Sequence, residues 1–317
     1  ERRHCYGHWG FWLEEHGQIE EHLTMSFRSN ISVGYGKSHA SFGEIVQGRL
    51  PSGDDFLITL PIDMWSICNL TAIERKGPLS INCRDYKSAQ VAEMLLAKLD
   101  IESDYEITIS FSRNIPVGKG LSSSTADMLS TVRALQEVYG FLLREKTISE
   151  MFKQVEPHDG LMYKSCVVYN HRKGQLIKEL LYVPRFWVIA VDFGGQINTV
   201  EYNSKLEFTP DTLQEYQQLL ADCDQAFAEK DDVKIAQIAT RSTELNLMMN
   251  KNELKNEVFK SCRQFEPLGV VNTHSGTCFG LVFPMSMKAE EIDAMAHKIE
   301  AEYKLPVFFT KTLKLLI

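Results

Sequence analysis

The stretch Asn114-Ile-Pro-Val-Gly-Lys-Gly-Leu-Ser-Ser-Ser-Thr-Ala-Asp127 limits what this chain can become more than any other. An alternating segment over 105–112 leads into it. An amphipathic run bearing Leu121, Met128, Leu129, Val132 and Leu135 on one face leads out and stops at Gly140. The pattern is strand, glycine turn, helix. A helix N-terminus exposes unpaired N–H groups and about half a positive elementary charge, so the turn favours phosphate. Gly118 and Gly120 let the backbone approach a ligand. Ser122, Ser123, Ser124 and Thr125 supply hydroxyl donors or a metal ligand, more hydroxyls than capping needs.

A length of 317 residues exceeds what one hydrophobic core usually serves, so two domains are expected, over 31–185 and 186–317. An N-terminal arm, 1–30, precedes them. Its His4, His8, His16 and His22 follow no common metal-ligand spacing, and it is assigned no function. The net charge of −8 argues against nucleic acid or an anionic membrane as partner. Phosphate must then be held by local N–H groups and a metal. Seven scattered cysteines without a Cys-x-x-Cys pair read as reduced thiols of a cytoplasmic protein. No apolar run approaches the roughly 20 residues of a membrane span, and no signal-like apolar segment opens the chain.

Periodicity predicts strands over 31–34, 56–60, 65–75, 79–83, 165–169, 186–192, 268–272, 279–283 and 305–309. Pro51-Ser-Gly-Asp and Pro61 punctuate the first of these. Helices are predicted over 89–99, 122–139, 211–229, 233–249, 254–265 and 289–303. A further helix is expected to open at Thr147, where Thr147-Ile-Ser-Glu150 has the capping-box form, and to end in Glu156-Pro-His-Asp-Gly160.

Three familiar phosphate or nucleophile motifs fail. Gly36-Lys-Ser38 lacks the first glycine of a P-loop, which would stand at Ile31. The dinucleotide fingerprint would need a third glycine at Ser123, and no Gly-x-Ser-x-Gly elbow is present.

Pro116-Val-Gly-Lys-Gly-Leu-Ser-Ser-Ser-Thr-Ala126 instead resembles the phosphate-loop signature of the GHMP kinases. Two further motifs of that family follow the same order: Ala40-Ser-Phe-Gly-Glu-Ile-Val-Gln-Gly48 and Asn272-Thr-His-Ser-Gly-Thr-Cys-Phe-Gly-Leu281. Glu156-Pro-His-Asp159, Val191-Asp-Phe-Gly-Gly-Gln-Ile-Asn-Thr199 and Ile238-Ala-Thr-Arg-Ser242 narrow the similarity to the L-threonine kinase branch used in cobalamin synthesis. The resemblance covers nearly everything from residue 31 onward. It implies an α+β, two-domain fold, with an N-terminal mixed β/α nucleotide-binding domain and a C-terminal ferredoxin-like α/β domain.

By the same resemblance, residues Pro116, Val117, Gly118, Lys119, Gly120, Leu121, Ser122, Ser123, Ser124, Thr125 and Ala126 wrap the phosphates of ATP. Ser124 and Glu156 hold Mg²⁺, whose preference for few hard oxygen ligands they suit. Asp159 is the candidate general base, with an Asp-Gly turn residue as the alternative. Ser41, Glu44, His158, Gly195, Thr199, Ser275 and Gly276 are the acceptor-side candidates. His158 has the alternative of filling its loop, and Glu44 that of a buried ion pair at a sheet bend. The implied activity is transfer of phosphate from ATP to the side-chain hydroxyl of a free amino acid, L-threonine first. Where the branch has Cys, Thr and Ser, this chain has Phe42, His158 and Gly160. Serine, homoserine or another alcohol therefore stand as alternative acceptors, and a non-catalytic ligand sensor as the alternative of another class.

Overall fold

The computed structural model describes residues 30–195, 207–250, 252–274 and 276–314. The N-terminal arm up to residue 29, and with it most of the segment assigned no function, lies outside the described residues. The strands are β1 (Ile31–Arg49), β2 (Asp55–Pro78), β3 (Ser80–Cys83), β4 (Ser103–Arg113), β5 (Val167–Asn170), β6 (Gln175–Glu179), β7 (Phe186–Asp192), β8 (Gly269–Asn272), β9 (Cys278–Pro284) and β10 (Val307–Lys311). The helices are α1 (Tyr86–Lys98), α2 (Ser123–Tyr139), α3 (Glu145–Val155), α4 (Pro210–Glu229), α5 (Asp232–Asn250), α6 (Glu253–Ser261) and α7 (Ala289–Tyr303), with a 3₁₀ turn over Cys262–Phe265.

The strands lie in the order β10-β7-β9-β8-β1-β2-β4-β3, with β5 pairing β2 and β6 pairing β5. The link from β1 to β8 is the pair Glu44–Asn272. Alternation on β7 divides the core. Val188 and Ala190 join the large core that includes β1, β2, α2, α4 and α5. Ile189 and Val191 face the other way, onto Val258, Phe259, Ile292 and Ile299 of α6 and α7.

Two predicted breaks do not occur. The expected strand 31–34 is only the start of β1, which continues through the motif at 40–48. Register shifts flank Glu44, and Gly43 has φ +48°, so the bend is absorbed within a strand as bulges. Pro61 likewise sits inside β2, opposite Ser41 in this irregular stretch, where a missing N–H is tolerated. The predicted capping box at Thr147 is also corrected. Helix α3 starts at Glu145 behind Arg144, two residues earlier. Strand β6 was not predicted, because Gln175-Leu-Ile-Lys-Glu179 is mostly exposed and lacks clean alternation.

The glycines before the first motif are explained by helix packing rather than by phosphate. Gly34 and Gly36 lie on one face of β1 against α2. A Cβ on Gly36 would stand 1.7 Å from the Ser130 carbonyl oxygen, and one on Gly34 would stand 2.4 Å from that of Ala134. The helix can lie this close only because both side chains are hydrogen. Gly36→Ala is therefore expected to cost about 3 kcal/mol, the top of the usual range for over-packing. A denaturant midpoint within experimental scatter of the wild type would refute this account of the contact.

Candidate active site

The glycine–serine loop sits between β4 and α2, and the other two sequence motifs clasp it. The Gly43 N–H donates to the Gly120 carbonyl at 3.2 Å, and the Thr277 N–H donates to the Lys119 carbonyl at 3.3 Å. Gly118 and Gly120 adopt φ of +73° and +80°. A Cβ on Gly120 would also lie 2.6 Å from that of Thr273, so both conformation and space demand glycine there.

Ser122, the residue before α2, is left-handed at φ 57° and makes no side-chain capping bond. Its hydroxyl donates instead to Asp159 Oδ2 and meets the hydroxyl of Ser41. Two residues on, Ser124 Oγ donates to Glu156 Oε1 at 2.5 Å, while Lys87 Nζ reaches Glu156 Oε2 at 2.5 Å. Thus the serine cluster spends its side chains on two carboxylates of the loop after α3. Leu121, Thr125 and Ala126 are buried and anchor the helix start from beneath, whereas Val117 is 55% exposed.

The electrostatics of the two carboxylates differ. Burial pushes the Asp159 carboxyl above the usual carboxylate range, against the bond from Ser122 and the nearby His171 that favour its charged form. Glu156 is ion-paired to Lys87, with both side chains about one-fifth exposed. Within the rest of the loop, Lys119 binds Asp192 Oδ2 at 2.8 Å and the Gly195 carbonyl at 3.2 Å. Burial alone would raise the Asp192 carboxyl. Hydrogen bonds from Lys119, Thr277 and the Gly194 N–H outweigh that and hold it below its ordinary value. A second cation, Lys255, lies behind the loop. Its Nζ donates to the Gly276 carbonyl at 3.1 Å beside the rings of Phe193 and Phe279. Burial lowers it to about 8.

Glu44 and His274 meet where β1 pairs with β8. His274 Nδ1 lies 3.0 Å from Glu44 Oε2 and 3.0 Å from the Asn272 carbonyl. Burial raises the Glu44 carboxyl well above its usual range, helped by repulsion from Asp159, and lowers His274 to about 3. Two such groups meet uncharged, so the alternative of a buried ion pair at the bend gives way to a hydrogen-bonded contact at the bulge.

Several acceptor-side expectations are corrected. His158 is buried, with Nε2 3.1 Å from the Ser149 carbonyl and 3.2 Å from Tyr169 Oη, and Nδ1 3.1 Å from the Asp159 carbonyl. Its ring is occupied by the scaffold, so it fills the loop and steadies Asp159 rather than meeting a substrate. Gly276 spends its N–H on the Thr273 carbonyl at 2.5 Å. A Cβ there would lie 2.3 Å from the Lys119 carbonyl oxygen, which makes Gly276 a packing contact for the loop. Gly195 is exposed and offers its carbonyl to Lys119. Thr199 and Ser275 lie outside the described residues. The three departures also turn inward. Phe42 is fully buried, and a Cβ on Gly160 would meet Val167 at 2.8 Å. With His158 they belong to the core behind the site.

Sequence reasoning missed Lys87, His171 and Lys255. Lys87 stands 69 positions from its partner, and His171 and Lys255 sit in no recognisable pattern.

Comparison with known proteins agrees with this geometry. Residues 87–165 match the family model described as the GHMP kinases N terminal domain. An L-threonine kinase of Salmonella typhimurium is 25% identical over 287 residues, covering 88% of this chain and 92% of the relative. Among solved structures, an L. major mevalonate kinase in complex with R-mevalonate superposes with a TM-score of 0.67 at 16% identity, over 90% of this chain and 97% of that one. A homoserine kinase from Cytophaga hutchinsonii gives 0.67 at 14% identity, over 92% and 97%.

Proposed function

We propose that this chain, an ATP-dependent phosphotransferase of the GHMP kinase family, phosphorylates the side-chain hydroxyl of a free amino acid, L-threonine before serine or homoserine. The observation that carries the reading is the split use of the serine cluster. Ser122, itself met by Ser41, addresses one partly buried carboxyl, Asp159, and two residues on Ser124 addresses a second, Glu156. Phosphoryl transfer needs a group to take the acceptor proton and a place where phosphate charge is neutralised. The two carboxylates supply these at neighbouring points of one helix N-terminus. A non-catalytic sensor would have no need of this convergence.

In this reading the loop N–H groups and the start of α2 receive the phosphates of ATP. Ser124 and Glu156 hold Mg²⁺; a hydroxyl and a carboxylate already facing one another fit an ion that takes few protein ligands and keeps its waters. Bound there, Mg²⁺ supplies charge neutralisation on the phosphates. Asp159 accepts the proton of the acceptor hydroxyl, in the place the Ser122 hydroxyl now occupies beside it. The relative named L-threonine kinase supports threonine as the acceptor. A lobe division near residue 185, with the site at the junction, is part of this reading; one ladder pair, Glu44–Asn272, links β1 to β8. A cytoplasmic setting is supported by six free thiols among the described residues, and no described helix is long and apolar enough to cross a membrane.

The test is ADP release with Mg²⁺ATP across L-threonine, L-serine, L-homoserine and simple alcohols. Acceptor-dependent ADP is expected, fastest with L-threonine. No acceptor-dependent turnover anywhere in the panel would overturn the kinase reading, and a faster amine-free alcohol would overturn the acceptor class alone.

A further inference from the structure

His171 lies in the turn between β5 and β6, outside every motif named above. The residue is 8% exposed, and neither ring nitrogen has a hydrogen-bond partner. Buried polar atoms are rarely left unpaired, because the desolvation is then uncompensated. The ring lines a cavity of about 10 Å³ together with Gln47, Asn246 and His274. A hole of that size takes about one water-sized group. An ammonium group fits it, whereas a carboxylate, with three heavy atoms, does not.

Other polar groups around the cavity are engaged elsewhere. Glu44 stands on the far side of His274, 3.0 Å from its Nδ1. Asp159 is near enough to act electrostatically on both Glu44 and His171. Arg172 also lines the cavity, but its Nε is engaged by Asp55 at 2.9 Å, and Asp55 takes Arg49 at 2.9 Å as well. A neutral imidazole keeps one acceptor nitrogen, so the unpaired ring of His171 makes a site for a compact N–H donor.

We propose that His171 recognises the α-ammonium of the acceptor, its unprotonated ring nitrogen accepting an ammonium N–H, and so selects amino acids over other alcohols. This rests on the amino-acid reading above and names the residue that enforces it. With the ammonium in this cavity and the side-chain hydroxyl at Asp159, the acceptor is held at two points.

The experiment compares L-threonine with its amine-free analogue 3-hydroxybutyrate in the wild type, His171→Ala and His171→Gln. His171→Ala is expected to raise KM for L-threonine about 30-fold, as for a lost hydrogen bond to a charged group. The KM for ATP should stay within about twofold. His171→Gln, whose amide oxygen can accept an N–H, should recover part of the KM loss, and the KM for 3-hydroxybutyrate should not respond to either change; any change in kcat through Asp159 should be the same for both acceptors. An unchanged threonine KM in both variants would overturn the assignment, as would equal rises in KM for the two acceptors in variants whose melting temperatures match the wild type. A wild type that uses 3-hydroxybutyrate as well as threonine would instead overturn the amino-acid reading itself, and this inference with it.

Discussion

Asp159→Asn is expected to lower kcat by about 10³-fold, within the span of general-base contributions, while leaving the KM for ATP within about twofold. The amide keeps the shape of the carboxyl and can still accept the Ser122 hydroxyl, so the loop should hold its form. What it loses is basicity. Burial raises the Asp159 carboxyl above the ordinary carboxylate range, and Ser122 and His171 oppose that rise without cancelling it. A base must be unprotonated to act, so activity in the wild type should fall as pH drops through this raised value, sooner than for an exposed aspartate. The acidic limb should vanish from the residual activity of Asp159→Asn. A stopped-flow ADP assay across pH checks both statements. Near-wild-type turnover would leave Asp159 as a turn residue and return the reaction to positioning alone.

How much of this was legible in the sequence depends on whether the signal is local. Helix α7 and strand β7 appear with their predicted bounds, and α4 and α5 within one residue. In each case the apolar period and the breakers lie within one segment. The phosphate loop was readable for the same reason, since glycine and hydroxyl residues are consecutive there. The errors arise where a distant partner decides. Gly43 and Pro61 carry turn chemistry, but the facing strand accommodates them as bulges. The P-loop reading of Gly36 was rightly set aside, but what requires Gly34 and Gly36, the packing of α2 about a hundred residues away, could not be read locally. His158 looks available beside Asp159, yet Ser149 and Tyr169 take its ring.

The same distinction explains the candidate site. Ser124 and Glu156 were named together as metal ligands, but the contact of Ser122 with Asp159 was not foreseen. Ser122 goes to Asp159 and Ser124 to Glu156, two residues and a little over half a helical turn apart at the helix start. Ser41 reaches the same point because the bulged stretch of β1 hydrogen-bonds to the loop through Gly43. Lys87 and His171 carry no spacing or composition that marks them. They become visible only when burial and missing partners can be read from coordinates.

Glu156→Gln should cost about 10²-fold in kcat at saturating ATP, corresponding to about 3 kcal/mol of charge stabilisation through the metal. It should also raise the Mg²⁺ concentration needed for half-maximal rate. The rival account makes Glu156 the surface partner of Lys87 and nothing more. Both side chains of that pair are partly exposed, at 23% and 22%. Such a pair is worth about 1 kcal/mol or less, so its loss should barely move stability and should leave the Mg²⁺ requirement alone. Ser124→Ala separates the accounts further. It removes the hydroxyl facing Glu156 Oε1 but leaves the Lys87 contact on Oε2 intact. On the ligand account it shifts the Mg²⁺ dependence in the same direction as Glu156→Gln, by a smaller amount, because a neutral oxygen binds the ion less strongly than a charged one. On the ion-pair account it does nothing to that dependence. A Mg²⁺ titration of the two variants therefore decides whether this hydroxyl–carboxylate pair holds the metal or merely ties α2 to the loop after α3.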